Sequence, residues 1–472
     1  MASTYNIGVI GIGGSGKTVF LMSLIDHIMN HEPDRFKLTP QKRNAVSSRV
    51  IRAKVSQVEI SQPKENSPID SDNRFPYEQY RKRLVDQNGW PQKTRDWAQS
   101  SLSFRRSDWR STIDLNLFDF PGERFADSSM LDCAYAEWSD RTLEHLRIEE
   151  PKNAADFLHL QVATGQTAPD EKALIDTYRL ALAKMVNAFR PFITPSSFLL
   201  SDKGYQPKHN QTDEEMLNTC FCGQSVDKQF VPLGSELRAK NPDLVKKFTA
   251  HYGEYRKNVL GKVFNRLRQC NGLIVLVDIP EIICSGVNRL NDCEQIIGQV
   301  LKAANPGAGL LYRGLETATG LILPSSWQFN HIERIVFAAT KSDLVRYCDQ
   351  GRLRDLLHQL VHKAKRNLND GVKTKCVTCA AINSTEMVND ELYGKLMYNE
   401  KGEKVHFAKA LRTKIAASPL FDQWPKDGWS HKDFFFPAVH PMVPQIRSCP
   451  PQQAGVDDIL DFMLGTAPEA HQ

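Results

Sequence analysis

The sequence contains no run of the ~20 consecutive apolar residues that a membrane-spanning helix needs. It shows no secretory signal either, because Met1–Asn6 is too short to hold a basic start and an apolar core before the first strand pattern. No lipidation motif or amphipathic basic helix stands out. From these absences we expect a cytoplasmic protein without a transmembrane segment, and contact with a membrane surface stays open.

The sequence also has little excess charge of one sign, because it contains 60 Lys and Arg residues and 55 Asp and Glu residues. The net charge of +5 is small for 472 residues, and we expect no nucleic-acid partner. Hydrophobic residues make up 41% of the chain and charged residues 24%, as in an ordinary globular protein. This length allows two domains, or one large domain with an insertion.

The ten cysteines form neither a disulfide framework nor a complete zinc site. Cys220 and Cys222 make one C-x-C pair, and Cys376 and Cys379 make one C-x-x-C pair, but a zinc site would need further ligands at suitable spacing. We therefore predict reduced thiols, with Cys376 and Cys379 on opposite faces of a strand.

Short apolar runs that predict strands alternate with helical patterns along most of the chain. Such alternation is typical of a three-layer α/β fold with a mostly parallel sheet. The predicted strands are Tyr5–Ile10, QSSLSFRRS from Gln99, IDLNLF from Ile113, GLIVLV from Gly272, ERIVFAA from Glu333 and KTKCVTCAA from Lys373. The predicted helices are Thr18–Ile28, Tyr135–Leu146, Asp170–Phe189, Leu244–Arg268 and Leu353–Leu368.

No strand signal interrupts the helical patterns between the third and the fourth predicted strand. We therefore expect residues 126–270 to form an all-helical domain, inserted into an α/β domain made of residues 1–125 and 271–472. His31–Asp72 is polar, basic and rich in proline. There we expect irregular structure with one helix near Ala45–Ser56.

A glycine-rich stretch, GIGGSGKT at Gly11–Thr18, lies between the first predicted strand and the first predicted helix. It fits the pattern G-x-x-x-x-G-K-[ST] of loops that hold phosphate groups. Such a loop binds an anion because successive backbone N–H groups and the positive end of the next helix point at it. The alternative is a plain glycine-rich turn, and the flanking strand and helix count against it.

The residue types of this loop predict separate roles. Gly11 and Gly16 would let the backbone turn and approach the phosphates, and Gly13 would leave space beside the γ-phosphate. Lys17 would bridge the β- and γ-phosphates and so take part in catalysis, and the Thr18 hydroxyl would bind Mg²⁺. The predicted nucleotide contacts of the loop are Gly11, Gly13, Gly14, Ser15, Gly16, Lys17, Thr18 and Val19.

DFPGE, at Asp119–Glu123, directly follows the strand pattern IDLNLF. D-x-x-G is frequent by chance, so its position at the end of a strand is what indicates a role. There Asp119 would bind Mg²⁺ through water, and the Gly122 N–H would sense the γ-phosphate. Glu123 would lie where a GTPase often orients water, although a carboxylate suits that role less well than an amide. The alternative is a strand that ends in a Pro-Gly turn.

TKSD, at Thr340–Asp343, closes the strand pattern ERIVFAA at the carboxyl edge of the sheet, where such sheets bind ligands. The Asp343 carboxylate can accept hydrogen bonds from the ring N–H and the exocyclic amine of guanine, and adenine lacks this pair of donors. The Lys341 stem can lie along the base. The alternative is a helix N-cap formed by Ser342 or Asp343.

The last predicted strand ends in Cys379, Ala380 and Ala381. Residues this small would let backbone N–H groups reach the guanine carbonyl. The order of the motifs thus predicts a fold that binds GTP or GDP and switches between them.

The combination resembles the YcjX-like family of bacterial stress-associated P-loop proteins, over most of the chain. The most specific stretch is DFPGERFADSSMLDCAYAEWS at Asp119–Ser139, and WPQKT at Trp90–Thr94 adds to it. The resemblance implies a P-loop G domain with an inserted helical domain, Mg²⁺-dependent GTP binding and slow hydrolysis. It also implies that Thr94 is the switch threonine that meets Mg²⁺ and the γ-phosphate.

We therefore expect a GTPase that hydrolyses GTP slowly and acts as a switch, with a link to stress and with a protein effector or activator as a further partner. The switch segments would surround Thr94 and Gly122. Two alternatives stay open. One is a P-loop phosphotransferase whose insertion is a lid over a small acceptor, and the other is a nucleotide-stabilised scaffold without turnover.

Overall fold

A computed structural model describes most of the chain. Of the residues singled out above, Gly13, Thr94, Cys220 and Cys222 lie outside the described part. The described residues are 3–12, 14–39, 50–55, 74–91, 98–109, 111–162, 170–187, 194–196, 212–215, 225–304, 332–366, 368, 371–399, 401–444 and 446–465.

Helices and strands are numbered in chain order over the described residues. The strands are β1 (Ser3–Gly11), β2 (Val50–Val55), β3 (Ala98–Arg106), β4 (Ile113–Asp119), β5 (Gly272–Val277), β6 (Arg334–Ala339), β7 (Lys373–Thr378), β8 (Thr385–Val388), β9 (Glu391–Lys395) and β10 (Arg412–Lys414). The helices are α1 (Lys17–Met29), α2 (Tyr77–Gln87), α3 (Tyr135–Glu149), α4 (Ala155–Gln161), α5 (Glu171–Asn187), α6 (Ser235–Lys240), α7 (Pro242–Tyr255), α8 (Gly261–Leu267), α9 (Ile279–Ser285), α10 (Val287–Ala304), α11 (Gln350–Lys365) and α12 (Val456–Leu464).

Seven of these strands form one sheet in the order β2-β3-β4-β1-β5-β6-β7. β1 pairs in parallel with β4 and with β5, and the pairs β5–β6 and β6–β7 are parallel as well. β3 is antiparallel to both of its neighbours. The predicted mostly parallel sheet is confirmed, and the carboxyl ends of β1, β4, β5, β6 and β7 meet at one edge.

Two apolar cores lie on opposite faces of this sheet. Along β5, Leu273, Val275 and Val277 join one core, whereas Ile274 and Leu276 join the other, as alternating side chains of a strand buried on both faces must. Helices α1, α2 and α12 cover the second face, and α3–α11 contribute to the core on the first. The predicted three-layer α/β architecture is therefore confirmed.

The helix expected near Ala45–Ser56 is wrong over the part that the structure describes. That part is strand β2, which pairs antiparallel with β3. β2 begins at Val50, and a β-branched residue of this kind fits a pleated surface better than a helix. β3, with which β2 forms its hydrogen bonds, begins more distantly along the chain at Ala98, so the local sequence pattern could not reveal the pairing.

The described residues between β4 and β5 contain helices and no strand. They begin with a 3-10 helix, Gly122–Asp132, and a π-helical turn, Arg256–Leu260, connects α7 to α8. Helices α3, α5, α7 and α8 coincide with the three predicted patterns. The division into an inserted domain of residues 126–270 and a domain of residues 1–125 and 271–472 stays a prediction.

The chain after β7 forms two elements that the patterns did not predict. One is a small antiparallel sheet in the order β10-β9-β8, and the other is α12. Gly455, just before α12, has φ +82°, and a β-carbon there would collide with the carbonyl oxygen of Thr378. The segment that leads into α12 therefore packs directly against the carboxyl end of β7.

The thiols of the C-x-x-C pair lie on different sides of the sheet, as predicted. Cys376 packs against the first core, and Cys379 is buried in the second. Both are free cysteines. Separately, none of the helices in the described ranges is long and apolar enough to cross a membrane.

Candidate functional site

The glycine-rich loop joins β1 to the N-terminus of α1, as its pattern predicts. Gly14 and Gly16 adopt left-handed backbone conformations, with φ +89° and +84°, which glycine accepts without steric strain. A β-carbon on Gly11 would collide with the Ser15 hydroxyl and lie 2.7 Å from the Leu276 carbonyl oxygen. Two glycines are thus needed for the turn, and a third for the close approach of neighbouring groups.

Lys17, the first residue of α1, folds back over this loop. Its ammonium group donates a hydrogen bond of 2.8 Å to the Gly11 carbonyl oxygen. The positive charge therefore lies beside the loop, where an anion held by backbone N–H groups would meet it.

Gly122 lies against the same loop. A β-carbon on Gly122 would collide with the Gly11 carbonyl oxygen and lie 2.8 Å from the Lys17 nitrogen. The structure therefore brings the DFPGE segment into contact with the glycine-rich loop, and only a residue without a side chain fits between them.

Asp119 is the last residue of β4, and its Cα lies opposite Val9 of β1 and Ala98 of β3. Its side chain is buried at the carboxyl edge of the sheet, and Thr18 lies in the first turn of the neighbouring helix α1. Hydroxyl and carboxylate oxygens are ligands that Mg²⁺ accepts, so these donors fit a magnesium site. Within the described ranges, no three His, Cys, Asp or Glu residues gather as a metal cluster.

The side chains that follow Gly122 connect the edge to the helical region. Glu123 is half-buried, and Arg124 donates hydrogen bonds to the hydroxyls of Ser196 and Tyr255, at 3.2 and 2.9 Å. Tyr255 in turn donates to the carboxylate of Asp127 at 2.6 Å. Asp127 is fully buried, and this burial raises the pKa of its carboxyl above the ordinary value. Hydrogen bonds from Ser196 and Tyr255 offset only part of the increase.

Side chains of α7 and of the π-helical turn donate hydrogen bonds to the C-terminal end of the 3-10 helix. The Tyr252 hydroxyl donates to the Cys133 carbonyl oxygen at 2.8 Å. Arg256 donates to the carbonyl oxygens of Leu131 and Cys133, both at 3.1 Å. Tyr252 and Arg256, which lie one helical turn apart, therefore attach the segment after Gly122 to α7 and the π-helical turn.

The TKSD motif follows β6 and is tied to the end of β5. Thr340 donates its backbone N–H at 2.8 Å and its hydroxyl at 3.3 Å to the Val277 carbonyl oxygen. Lys341 has φ +56°, a left-handed conformation that residues with a side chain adopt only when their surroundings hold them there.

Ser384 holds the carboxylate of Asp343. Its backbone N–H and its hydroxyl both donate to Oδ2 of Asp343, at 2.7 and 2.5 Å. Burial raises the pKa of the Asp343 carboxyl above its ordinary value, and these hydrogen bonds offset only part of that increase. Ser384 is not among the residues predicted from the sequence, where the only signal for it was a hydroxyl residue in the loop after the last parallel strand.

Asp278, the first residue after β5, holds the side chain of Lys341. The Lys341 nitrogen lies 2.5 Å from Oδ2 of Asp278, and this negative charge raises the pKa of Lys341. The other carboxylate oxygen accepts the backbone N–H of Glu281 at 3.1 Å and so caps α9. Asp278 is not among the predicted residues either, although an acidic residue directly after a buried strand was a usable signal.

Three small residues after β7 were expected to direct their backbone N–H groups at the base. In two of them the N–H group instead donates a hydrogen bond within the chain. The Cys379 N–H donates to the Ala339 carbonyl oxygen at 2.8 Å, and the Ala380 N–H donates to the Ala454 carbonyl oxygen at 2.9 Å. A base could use these two amides only if those bonds broke. Ala381, which is half-buried, follows them in the loop.

The glycine-rich loop and the TKSD motif lie on the same edge of the sheet. β5 lies between β1 and β6, with Gly11 opposite Leu276 and Val277 opposite Ala339. The two motifs therefore follow parallel strands that are two inter-strand spacings apart, or about 10 Å. One elongated ligand that crosses this edge could contact both.

Comparisons with known proteins find sequences that are similar over most of the chain. The family model described as "YcjX-like family, DUF463" matches residues 5–467. A protein from Escherichia coli (strain K12) named Ras-like GTPase YcjX is 24% identical over 478 residues, which cover 97% of this chain and 95% of that protein. A protein of the same name from Shewanella oneidensis is 22% identical over 414 residues, which cover 80% of this chain and 77% of that protein. The similarity to the first protein therefore extends over almost the full length of both chains.

Proposed function

Because this chain belongs to the YcjX-like family, we propose that it is a cytoplasmic, Mg²⁺-dependent GTP-binding protein that hydrolyses GTP slowly and works as a switch. The name Ras-like GTPase, which two relatives carry, supports a GTPase-like activity. The observation on which the proposal depends is the shared sheet edge, where the glycine-rich loop and the TKSD motif lie two strands apart. That distance suits the phosphates and the base of one nucleotide.

The triphosphate lies along the loop Gly11–Thr18 in this proposal. Its negative oxygens accept hydrogen bonds from the loop amides at the positive end of α1. Lys17 exchanges the Gly11 carbonyl for oxygens of the β- and γ-phosphates. The new hydrogen bonds are stronger because the acceptor is charged, and they oppose the negative charge that develops during phosphoryl transfer.

Thr18 and Asp119 supply oxygen donors for Mg²⁺, Asp119 through water, and Thr94 is the proposed switch threonine. When it is bound, the cation neutralises charge on the β- and γ-phosphate oxygens. The Gly122 N–H donates to the γ-phosphate, next to the position that the Lys17 ammonium group occupies. Glu123 orients the attacking water, and we expect slow turnover because its carboxylate is repelled by the γ-phosphate.

Guanine lies against the TKSD motif. Asp343 accepts hydrogen bonds from the ring N–H and the exocyclic amine, and Ser384 fixes the orientation of this carboxylate through Oδ2. The stem of Lys341 lies along the base. Of the small residues after β7, Ala381 is the one we assign to the guanine carbonyl, because the amides of Cys379 and Ala380 already donate within the chain.

The switch depends on the contacts that follow Gly122. When the γ-phosphate leaves, Gly122 loses a partner and the DFPGE segment shifts. This shift reaches α7 through the hydrogen bonds that join Arg124, Tyr255 and Asp127. We propose that residues 126–270 are an inserted helical domain that then changes its position relative to residues 1–125 and 271–472. The altered surface would be recognised by a protein effector or activator in the response to stress.

Nucleotide binding and phosphate release together test the proposal. We expect the protein to bind and slowly hydrolyse GTP, to do neither with ATP, and to lose both activities in Lys17→Ala. Equal binding of ATP and GTP would contradict the proposal. Release that occurs only with a small acceptor would indicate a phosphotransferase, and tight GTP binding without release would indicate a scaffold.

A further inference from the structure

Asp278 connects the end of β5 to the TKSD motif. Its carboxylate is 5% exposed and lies 2.5 Å from the ammonium nitrogen of Lys341, whose side chain is 40% exposed. A buried carboxylate is stable only with such partners. The pair therefore restrains a long side chain that would otherwise move in solvent.

Lys341 is restrained in its backbone as well. Thr340, the residue before it, donates two hydrogen bonds to Val277, the residue before Asp278. Lys341 keeps a left-handed φ of +56° between these attachments. Main chain and side chain of the motif are therefore both fastened to the carboxyl end of β5.

We propose that Asp278 is a positioning residue for nucleotide binding, which holds the Lys341 ammonium group so that the lysine stem lies ready along the purine base. This inference rests on the function proposed above. A lysine side chain loses rotamer freedom when it packs on a ligand, and a side chain that is ordered beforehand loses less. Asp278 thus strengthens binding of GTP and GDP alike, because both carry the same base.

The competing explanation is that Asp278 serves only to cap α9. Asp278→Asn separates the two explanations, because asparagine caps a helix about as well as aspartate but carries no charge. We expect the dissociation constants for GTP and GDP to rise together by about 3- to 10-fold, the factor expected when one long side chain has to be ordered during binding. The melting temperature of the nucleotide-free protein should stay within about 2 °C of wild type.

Glu294→Gln is the matched control. It removes a carboxylate that lies 3.0 Å from the Lys363 nitrogen, between α10 and α11 and away from the TKSD motif. Nucleotide affinity should not change in this variant. If Asp278→Asn does not fold, Asp278→Ser repeats the test, because serine also caps a helix and also lacks the charge.

A double-mutant cycle with Lys341→Met tests the route of the effect. If Asp278 acts through Lys341, adding Asp278→Asn to Lys341→Met should weaken binding by less than two-fold. Additive losses, or unchanged affinity in Asp278→Asn, would overturn the inference while GTP binding by wild type leaves the proposed function standing. Wild-type protein that fails to bind GTP would overturn both.

Discussion

The backbone of Gly122 touches the carbonyl group of Gly11 so closely that no methyl group fits between the two residues. Because a backbone carbonyl cannot move aside as a flexible side chain can, Gly122→Ala must push the DFPGE segment away from the glycine-rich loop. We expect affinity for a non-hydrolysable GTP analogue to fall by more than about 10-fold, a loss of about 1.4 kcal/mol. GDP affinity should change little, since GDP lacks the γ-phosphate that Gly122 is proposed to contact.

Gly253→Ala is the control for that variant. Gly253 lies exposed in α7, and a β-carbon there would meet no atom within 4 Å. Alanine is favoured over glycine inside a helix by about 0.5–1 kcal/mol, so this variant should unfold at a slightly higher temperature and bind both nucleotides normally. Equal losses of GTP analogue and GDP affinity in Gly122→Ala would contradict a contact with the γ-phosphate.

Asp343→Asn should change the preferred base. An asparagine amide can donate to the carbonyl group that xanthine carries in place of the guanine amine, but it cannot accept from both guanine donors. We expect GTP affinity to fall by about 100-fold or more and xanthosine triphosphate to bind better than GTP, because unpaired polar groups in a binding site are strongly unfavourable. Competition binding with the two triphosphates measures the ratio.

Ser384→Ala serves as the comparison for the base specificity. It removes the hydroxyl that donates to Asp343 but keeps the backbone N–H that donates to the same oxygen. GTP should therefore still bind better than the xanthine nucleotide, with affinity lower by a few-fold. Unchanged base preference in Asp343→Asn would show that this carboxylate does not read the base.

Sequence patterns could locate the glycine-rich loop, DFPGE and TKSD because each signal is local, consisting of a strand pattern and the residues that directly follow it. The side chains that hold these motifs could not be located in the same way. Ser384 and Asp278 reach Asp343 and Lys341 only because β5, β6 and β7 lie side by side. Such pairings depend on the order of strands in the sheet.

The same limit explains two further differences between what the sequence predicted and what the structure has. Strand β2 exists because β3 offers it a row of hydrogen-bonding groups. The bond from the Ala380 N–H to the Ala454 carbonyl exists because the segment before α12 returns to the end of β7. In both cases the deciding partner is distant along the chain, so residue preferences alone could not show it.

Tyr255→Phe should weaken the connection between the DFPGE segment and the helical region. The hydroxyl donates to Asp127 and accepts from Arg124, so its removal leaves a buried carboxylate with one donor fewer. We expect the free energy of unfolding to fall by about 1–3 kcal/mol. Hydrogen exchange in α7 should differ less between the GDP-bound and GTP-analogue-bound states than it does in the wild type.

Tyr393→Phe provides the control for Tyr255→Phe. The Tyr393 hydroxyl donates to Glu391 at 3.2 Å within the small sheet, where both side chains are partly exposed. Loss of this bond should change the free energy of unfolding by less than about 0.5 kcal/mol and leave exchange in α7 unaltered. If Tyr255→Phe leaves the nucleotide-dependent exchange of α7 intact, the contact between Tyr255 and Asp127 does not transmit the switch.

His27 makes folding sensitive to acid. The imidazole lies inside α1 with no exposed surface and stacks on Phe36 at 4.9 Å between ring centroids. Burial lowers the pKa of His27 from 6.5 to about 3; a hydrogen bond with the Pro451 backbone opposes this shift in part, and the positive charges of His31 and Arg35 add to it. Above pH 6.5 the ring is neutral in both the folded and the unfolded chain, so it has no effect on pH dependence there. As the pH falls from 6.5 towards 3, the unfolded chain binds a proton that the folded chain does not.

Stability should therefore decline by about 1.4 kcal/mol per pH unit below 6.5, or by about 2 kcal/mol at pH 5. Other groups titrate in this range too, so the contribution of His27 is measured against His27→Phe, which keeps a ring beside Phe36 but cannot bind a proton. Urea unfolding of both proteins at pH 7.5, 6 and 5 gives the two profiles. The wild type should lose about 2 kcal/mol more than the variant between pH 7.5 and pH 5, because only the wild type has to keep a buried imidazole neutral, and parallel profiles would show that His27 accepts a proton in the folded state.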